Sequence, residues 1–155
     1  MAEQVPYHID SLTEADLPAL GSLLARSLIY DEIPPALLRA RLFADPDQRP
    51  EHRLCVRAAG GMLAGVAAGV VRQREQGPIG HVRLIAVHPE QRGRGVATVL
   101  LDELEARLAA AGATRLAVGA DVPYWLLAGV DVRYTAALCL FQRRRYTKTR
   151  DVFNL

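Results

Sequence analysis

"VHPEQRGRGVA", residues 87–97, sets two arginines alternating with two glycines between an apolar run and an amphipathic segment. The apolar run, roughly Ile79–Val87, reads as a strand. From Val96 to Ala111, Val99, Leu100, Leu104 and Leu108 fall on one face, with Asp102, Glu103, Glu105 and Arg107 elsewhere. That spacing predicts a helix closed by Gly112. Strand, glycine-rich turn and helix, in that order, build an anion site. The helix's first turn leaves N–H groups without partners, and its dipole favours negative charge there. Gly93 and Gly95 allow the backbone to approach a phosphate closely, and Arg92 and Arg94 add charge.

Working outward, residues 7–10 (YHID) read as a short strand. Thr13 opens a T-E-A-D box followed by Leu17, Leu20, Leu24 and Leu28 at helical spacing. A second helix begins at PPALLRARLFA, with Pro46 beyond its end. RLCVRAA (53–59), the turn Gly60-Gly61 and MLAGVAAGVVRQ (62–73) form an antiparallel hairpin. RLAVGA (115–120) is a further strand, a helix runs from about Tyr134 to Arg144, and the tail YTKTRDVFNL offers two short strands. The order predicts an α/β (α+β) protein: a single mixed, mostly antiparallel twisted sheet flanked by about four helices, with one parallel crossover from strand 79–87 to strand 115–120.

The chain length suits one domain, residues 1–155. No apolar run approaches the ~18–20 residues of a membrane span, and the N-terminus is neither basic nor apolar enough for a secretory signal, so a cytoplasmic location is expected. Cys55 and Cys139 both sit in apolar stretches and read as buried thiols. A net charge of +2 is too small to signal nucleic acid, and a solvated face is the default reading of Arg143–Arg145. Lys148 is the only lysine among 19 basic residues, which looks like the codon bias of a GC-rich genome. A P-loop needs a lysine that the turn lacks. A dinucleotide fingerprint needs Gly or Ala where Thr98 stands, and a parallel sheet in place of the two hairpins.

Arg92-Gly93-Arg94-Gly95-Val96-Ala97 resembles the [QR]-x-x-G-x-[GA] signature of the GNAT superfamily of N-acetyltransferases, bacterial members included. Leu84-Ile85-Ala86-Val87-His88-Pro89 is similar to the family's L-x-V-x-P strand end, and the element order matches over essentially the whole chain. The resemblance implies acetyl-CoA, or another acyl-CoA, as co-substrate. Amides from Arg92 to Thr98, through Gly93, Arg94, Gly95, Val96 and Ala97, would cradle its pyrophosphate. Main-chain groups of Ile85, Ala86 and Val87 would pair with the pantetheine arm in a slot splayed open between strands 79–87 and 115–120. The implied reaction is attack of a primary amine, borne by a small molecule or peptide, on the thioester within a ternary complex. It needs no metal, nucleic acid or membrane. C-terminal strands often pair between subunits in the family, which leaves a homodimer open.

Catalytic residues are less plainly written. Alternation along HVRLIAV puts His81, Arg83, Ile85 and Val87 on one face. His81 falls where some family members carry a glutamate base, and imidazole titrates in the right range. A surface histidine at a strand end is the competing reading. Asp121, Asp131, Tyr30, Asp31 and Glu32 are weaker candidates. The family's N-x-x-A-x-x-x-Y-x-x-x-G-F helix aligns with Tyr134, Ala137, Phe141, Arg145 and Tyr146. Phenylalanine thus replaces the tyrosine that protonates the departing thiolate, and Tyr134 becomes the candidate acid. The alternative function is a catalytically weak, CoA-binding regulatory or structural domain. Pro123-Tyr124-Trp125-Leu126-Leu127 and GVDVRYTAAL also resemble the N-terminal half of tandem bacterial acetyltransferases.

Overall fold

The computed structural model describes residues 7–151. Its elements are β1 (Ile9–Ser11), α1 (Leu17–Ser27), α2 (Pro35–Leu42), β2 (Arg53–Arg57), β3 (Leu63–Arg74), β4 (Gly77–Val87), α3 (Val96–Ala110), β5 (Arg115–Val118) and α4 (Thr135–Arg143). They form one open five-stranded sheet in the order β1-β2-β3-β4-β5. The first four strands are antiparallel neighbours, and β5 joins β4 in parallel after the α3 crossover. This is the mixed, mostly antiparallel α/β sheet with four helices that the element order predicts.

Each face of the sheet carries its own core. Leu20, Leu23 and Leu24 of α1 and Leu38 and Leu42 of α2 pack on Val66, Ala68, Leu84 and Ala86. Leu100, Leu101, Leu104 and Leu108 of α3, with Phe141 of α4, pack on Ala67, Val82, Ile85 and Val87 across the other face. The helix α3 lies so close to β3 that a Cβ at Gly69 would sit 2.9 Å from the His81 carbonyl and 3.0 Å from Leu108. Before α1, the Thr13 N–H donates to the Asp16 carboxylate at 2.9 Å, and Arg57 of β2 binds the same group at 3.0 Å.

Strict alternation fails at one point in β4. Ala68 pairs with Leu84 and Gly69 with Val82, leaving Arg83 as an extra, bulged residue. His81, opposite Val70, and Arg83 therefore face α2, whereas Ile85 and Val87 face α3. The four residues do not share a face as the alternation predicts. Three further expectations also change. Strand 115–120 stops at Val118, because Gly119 and Ala120 take left-handed φ values of 64° and 55°. Residues 147–151 form no strand, and the rest of the predicted tail hairpin lies outside the described residues. Cys139 is exposed on α4, while Cys55 is buried and its thiol is pushed up to about 11 by that burial.

Candidate functional site

The parallel pairing of β5 with β4 is brief. It runs from Ile79–Arg115 to Val82–Val118 and closes with the Gly119 N–H donating to the Val82 carbonyl at 2.8 Å. Beyond that point the left-handed pair Gly119-Ala120 turns the chain away, and β4 continues to Val87 with no strand on that edge among the described residues. The His88 N–H reaches β3 at the Ala64 carbonyl, 2.8 Å away. By antiparallel alternation Leu84 and Ala86 also face β3, so the N–H and C=O groups of Ile85 and Val87 turn to the open edge. The Ser27 hydroxyl donates to the Val87 carbonyl from that side at 3.1 Å.

At the end of this edge stands the N-terminus of α3. Its N-cap is Gly95, at φ 82°, and no side chain caps the first turn. Among the described residues the early N–H groups of α3 therefore have no side-chain acceptor. At Gly93, φ 72°, and at Gly95 an added Cβ would meet nothing within 4 Å: the space above the turn is open. His88 braces the turn from beneath. Its Nδ1 accepts from the Glu90 N–H at 3.2 Å, and its Nε2 lies 3.2 Å from Arg26 of α1. Local sequence pattern does not disclose this role, although a histidine directly before the turn's proline is its available signal.

These parts line one cleft of about 560 Å³, walled by β4, the glycine turn, the loop after α1 and the inner face of α4. Ile85, Ala86, Val87, Arg92, Gly93, Gly95, Val96, Ala97 and Thr98 all line it. Arg94 does not, and its carbonyl accepts from the Tyr7 hydroxyl at 2.8 Å. An uncapped helix N-terminus at one end and the Ile85 edge of β4 along the wall, with the Val87 carbonyl already held by Ser27 and Arg92, suit a ligand with a phosphate head and an amide-bearing arm. Acyl-CoA has that shape. The cradle residues fit it.

Tyr134 and Phe141 both line the cleft. The Tyr134 hydroxyl donates to Asp31 at 2.8 Å and accepts the Tyr30 N–H at 3.0 Å. Burial and the Asp31 carboxylate push this phenol up to about 12. Phe141 packs edge-on to Tyr146 with ring centroids 5.2 Å apart. Arg145, at the family's glycine position, takes φ 67°, and the Tyr146 N–H donates to the Phe141 carbonyl at 3.0 Å: a glycine-type helix terminus made with arginine.

His81 lies elsewhere. It is buried, and its Nδ1–H donates to the Gly119 carbonyl at 2.9 Å. Burial pushes its pKa down, which leaves the ring neutral with a lone pair on Nε2. It borders a second cavity and not the cleft. Of the weaker candidates, Tyr30 and Asp31 line the cleft, whereas Asp131 is held by Arg133 at 2.7 Å. Asp121 is locked into a buried ion cluster that the sequence did not disclose. Its carboxylate meets Arg72 at 2.9 Å and Arg83 at 3.0 Å, and both arginines also bind Asp45. Arg83 further donates to Gln48 at 3.0 Å and to the Tyr124 carbonyl at 2.9 Å, pinning the loop that carries Leu127, Gly129 and Val130 to the cleft wall. Leu126 of that loop joins the core, while Tyr124 and Trp125 remain about half exposed. Burial alone would raise both aspartates, but the Arg72 and Arg83 guanidiniums outweigh it; Asp45 is held down to about 2 and Asp121 well below the usual carboxylate range. Arg144 pairs with Asp102 and Glu105 of α3 at 2.7 Å each, and Arg143 lines the cleft.

An open mixed sheet, splayed beside a helix N-terminus with a glycine cap, is the architecture of the GNAT fold. The sequence profile of the Acetyltransferase (GNAT) family matches residues 18–124, and the chain belongs to that family. The structure is similar to the glucosamine N-acetyltransferase region of a fungal multi-domain GH3 β-N-acetylglucosaminidase, with a TM-score of 0.80, 20% identity, and coverage of 92% of this chain. The match spans only 17% of that longer protein. It is also similar to the ribosomal-protein-S18-alanine N-acetyltransferase of Escherichia coli, with a TM-score of 0.69, 19% identity, and coverage of 94% of this chain and 80% of that one. The aminoglycoside N-acetyltransferase AAC(6')-Iy, solved in complex with CoA, matches with a TM-score of 0.65 and 19% identity over 96% of this chain and 97% of that one. No curated protein matches the sequence significantly. Among the described residues no helix is long and apolar enough to cross a membrane, and no group of three or more His, Cys, Asp or Glu side chains is placed to hold a metal ion.

Proposed function

We propose that this chain, as a single domain, transfers an acetyl group from acetyl-CoA to a primary amine by direct attack within a ternary complex. One observation carries the reading: the uncapped N-terminus of α3 at Gly95 and the open edge of β4 at Ile85 border the same cleft. The phosphate head would lie on the amides of Gly93 to Thr98, and the pantetheine arm along β4 toward Val82, where pairing with β5 begins. In the reaction the amine nitrogen forms a bond to the acetyl carbonyl carbon, the C–S bond breaks, and CoA leaves as a thiolate. A base must take the proton that the amine loses. His81, buried, neutral and beside the end of the slot, is the candidate base; Tyr134, the candidate acid by position, lines the cleft but is a weaker acid than the thiol, so the thiolate leaves without its proton.

Phe141 favours a second reading, in which the domain binds CoA but turns over weakly, because its ring supplies no proton to the thiolate. One experiment separates the two. The protein is incubated with acetyl-CoA and a panel of amines, and thiol release is followed with mass analysis of the acceptor. Acetylated acceptor formed in step with thiol supports the transferase. Tight acetyl-CoA binding without transfer to any amine supports the binding domain.

A further inference from the structure

The second cavity lies on the sheet face opposite α3, at the end of the sheet where β4 and β5 pair, and its volume is about 590 Å³. Its lining includes Arg74 from β3, His81 from β4, Arg115 from β5 and Arg150 from the tail, and no aspartate or glutamate. Parity explains the grouping. Arg74 shares the face of Val70, the partner of His81, and Arg115 and Ala117 pair with Ile79 and His81. Two of the arginines are anchored, Arg115 by a neutral group and Arg74 by a carbonyl and a buried carboxylate. Arg74 donates to the Val122 carbonyl at 2.9 Å and lies 3.5 Å from Asp121, while Arg115 donates to Gln76 at 3.2 Å. Beneath them His81 is 4% exposed, and among the described residues its Nε2 has no hydrogen-bond partner. A buried lone pair without a donor is costly unless a ligand supplies one.

We infer that this cavity seats an acceptor amine that also carries an acidic group, its carboxylate or phosphate held by Arg74, Arg115 and Arg150 and an N–H directed at His81 Nε2. The inference rests on the acetyl-transfer reading and names its substrate class. Arg115 and Arg150 meet no carboxylate in the lining, and Arg74 shares the buried Asp121 with Arg72 and Arg83, so the three guanidiniums leave net positive charge that selects an anion. The neutral imidazole, with Nδ1–H committed to Gly119, offers an acceptor and no further donor. Position joins the two cavities. Gly119, whose carbonyl holds His81, lines the cleft with Val82, so His81 stands behind the point where the slot for the arm closes.

The test is a titration of the full chain with O-phospho-L-serine and, separately, with putrescine, following the His81 imidazole in long-range 1H–15N NMR spectra. Phosphoserine is expected to shift the His81 signal saturably, and putrescine to leave it unmoved. Arg115→Glu should weaken phosphoserine at least tenfold while acetyl-CoA affinity stays within twofold. A His81 response to putrescine alone, no response to either amine, or phosphoserine binding indifferent to Arg115→Glu would overturn the assignment. Acetyl-CoA binding, measured on the same samples, reports separately on the transferase reading.

Discussion

The Tyr134 hydroxyl and the Asp31 carboxylate meet at 2.8 Å and tie the start of α4 to the loop after α1, both of which wall the cleft. The phenol, pushed up to about 12, holds its proton far more tightly than a thiol with a pKa of roughly 8.5. Donation from Tyr134 to a CoA thiolate would therefore run uphill. Tyr134→Phe removes two hydrogen bonds, to Asp31 and from Tyr30, of about 0.5–1 kcal/mol each, so acetyl-CoA affinity should fall about five- to thirtyfold, with kcat within about threefold of the parent. Steady-state kinetics at varied acetyl-CoA check this. A hundredfold loss of kcat at unchanged affinity would instead make Tyr134 the acid.

Phe141→Tyr restores a hydroxyl to a ring that lines the cleft. Protonating the departing thiolate can help at most by the gap between its pKa of roughly 8.5 and the working pH, or about thirtyfold at pH 7. The variant should raise kcat by up to that factor, and the gain should fade above about pH 8.5. A pH–rate profile of both proteins reads the difference.

The ion cluster predicts a particular acid sensitivity. Asp45, held down to about 2, and Asp121, held low by Arg72 and Arg83, have folded values below the unfolded carboxyl at about 3.9. Depressed carboxyls contribute stability that is complete above the unfolded value and is lost as pH falls toward the folded one. Stability should thus hold down to about pH 4 and decline between about 4 and 2, as urea melts across that range would record. Asp121→Asn, which leaves Arg72 and Arg83 short of a buried partner, should cost about 3–5 kcal/mol at neutral pH.

Arg145 carries φ 67° at the end of α4, where a side chain is strained and glycine is not. Arg145→Gly should stabilise the fold by about 0.5–1 kcal/mol, a rise in Tm of about 1–4 °C by calorimetry.

The glycine turn, α3 and the strand order were legible because each is a local pattern: apolar period, cap and turn residues in sequence. The bulge at Arg83 was not. One unpaired residue leaves the composition of β4 unchanged yet reverses the face of every residue beyond it, separating His81 from Ile85 and Val87. The arginine inside the run VRLIAV was the visible sign that something charged had to be met there. Its partners, Asp45 and Asp121, lie 38 residues before it and 38 after, and spacing carries no information about such contacts. Ile85, Ala86, Val87, Arg92, Gly93 and Gly95 to Thr98 line one cleft, and Arg94 does not. The catalytic candidates divided between two cavities, because which side a residue faces depends on the bulge and on the left-handed turn at Gly119-Ala120.

The central claim is that the cleft beneath Gly95 is a seat for acetyl-CoA. Calorimetric titration of the parent and of Gly95→Glu with acetyl-CoA, CoA and NAD tests it most directly. The parent should bind acetyl-CoA and CoA at one site and ignore NAD. The variant, with bulk and negative charge placed over the α3 amides, should lose at least about a hundredfold, or about 2.7 kcal/mol. A folded parent that binds no acetyl-CoA, or a Gly95→Glu variant that binds it undiminished, would contradict the account.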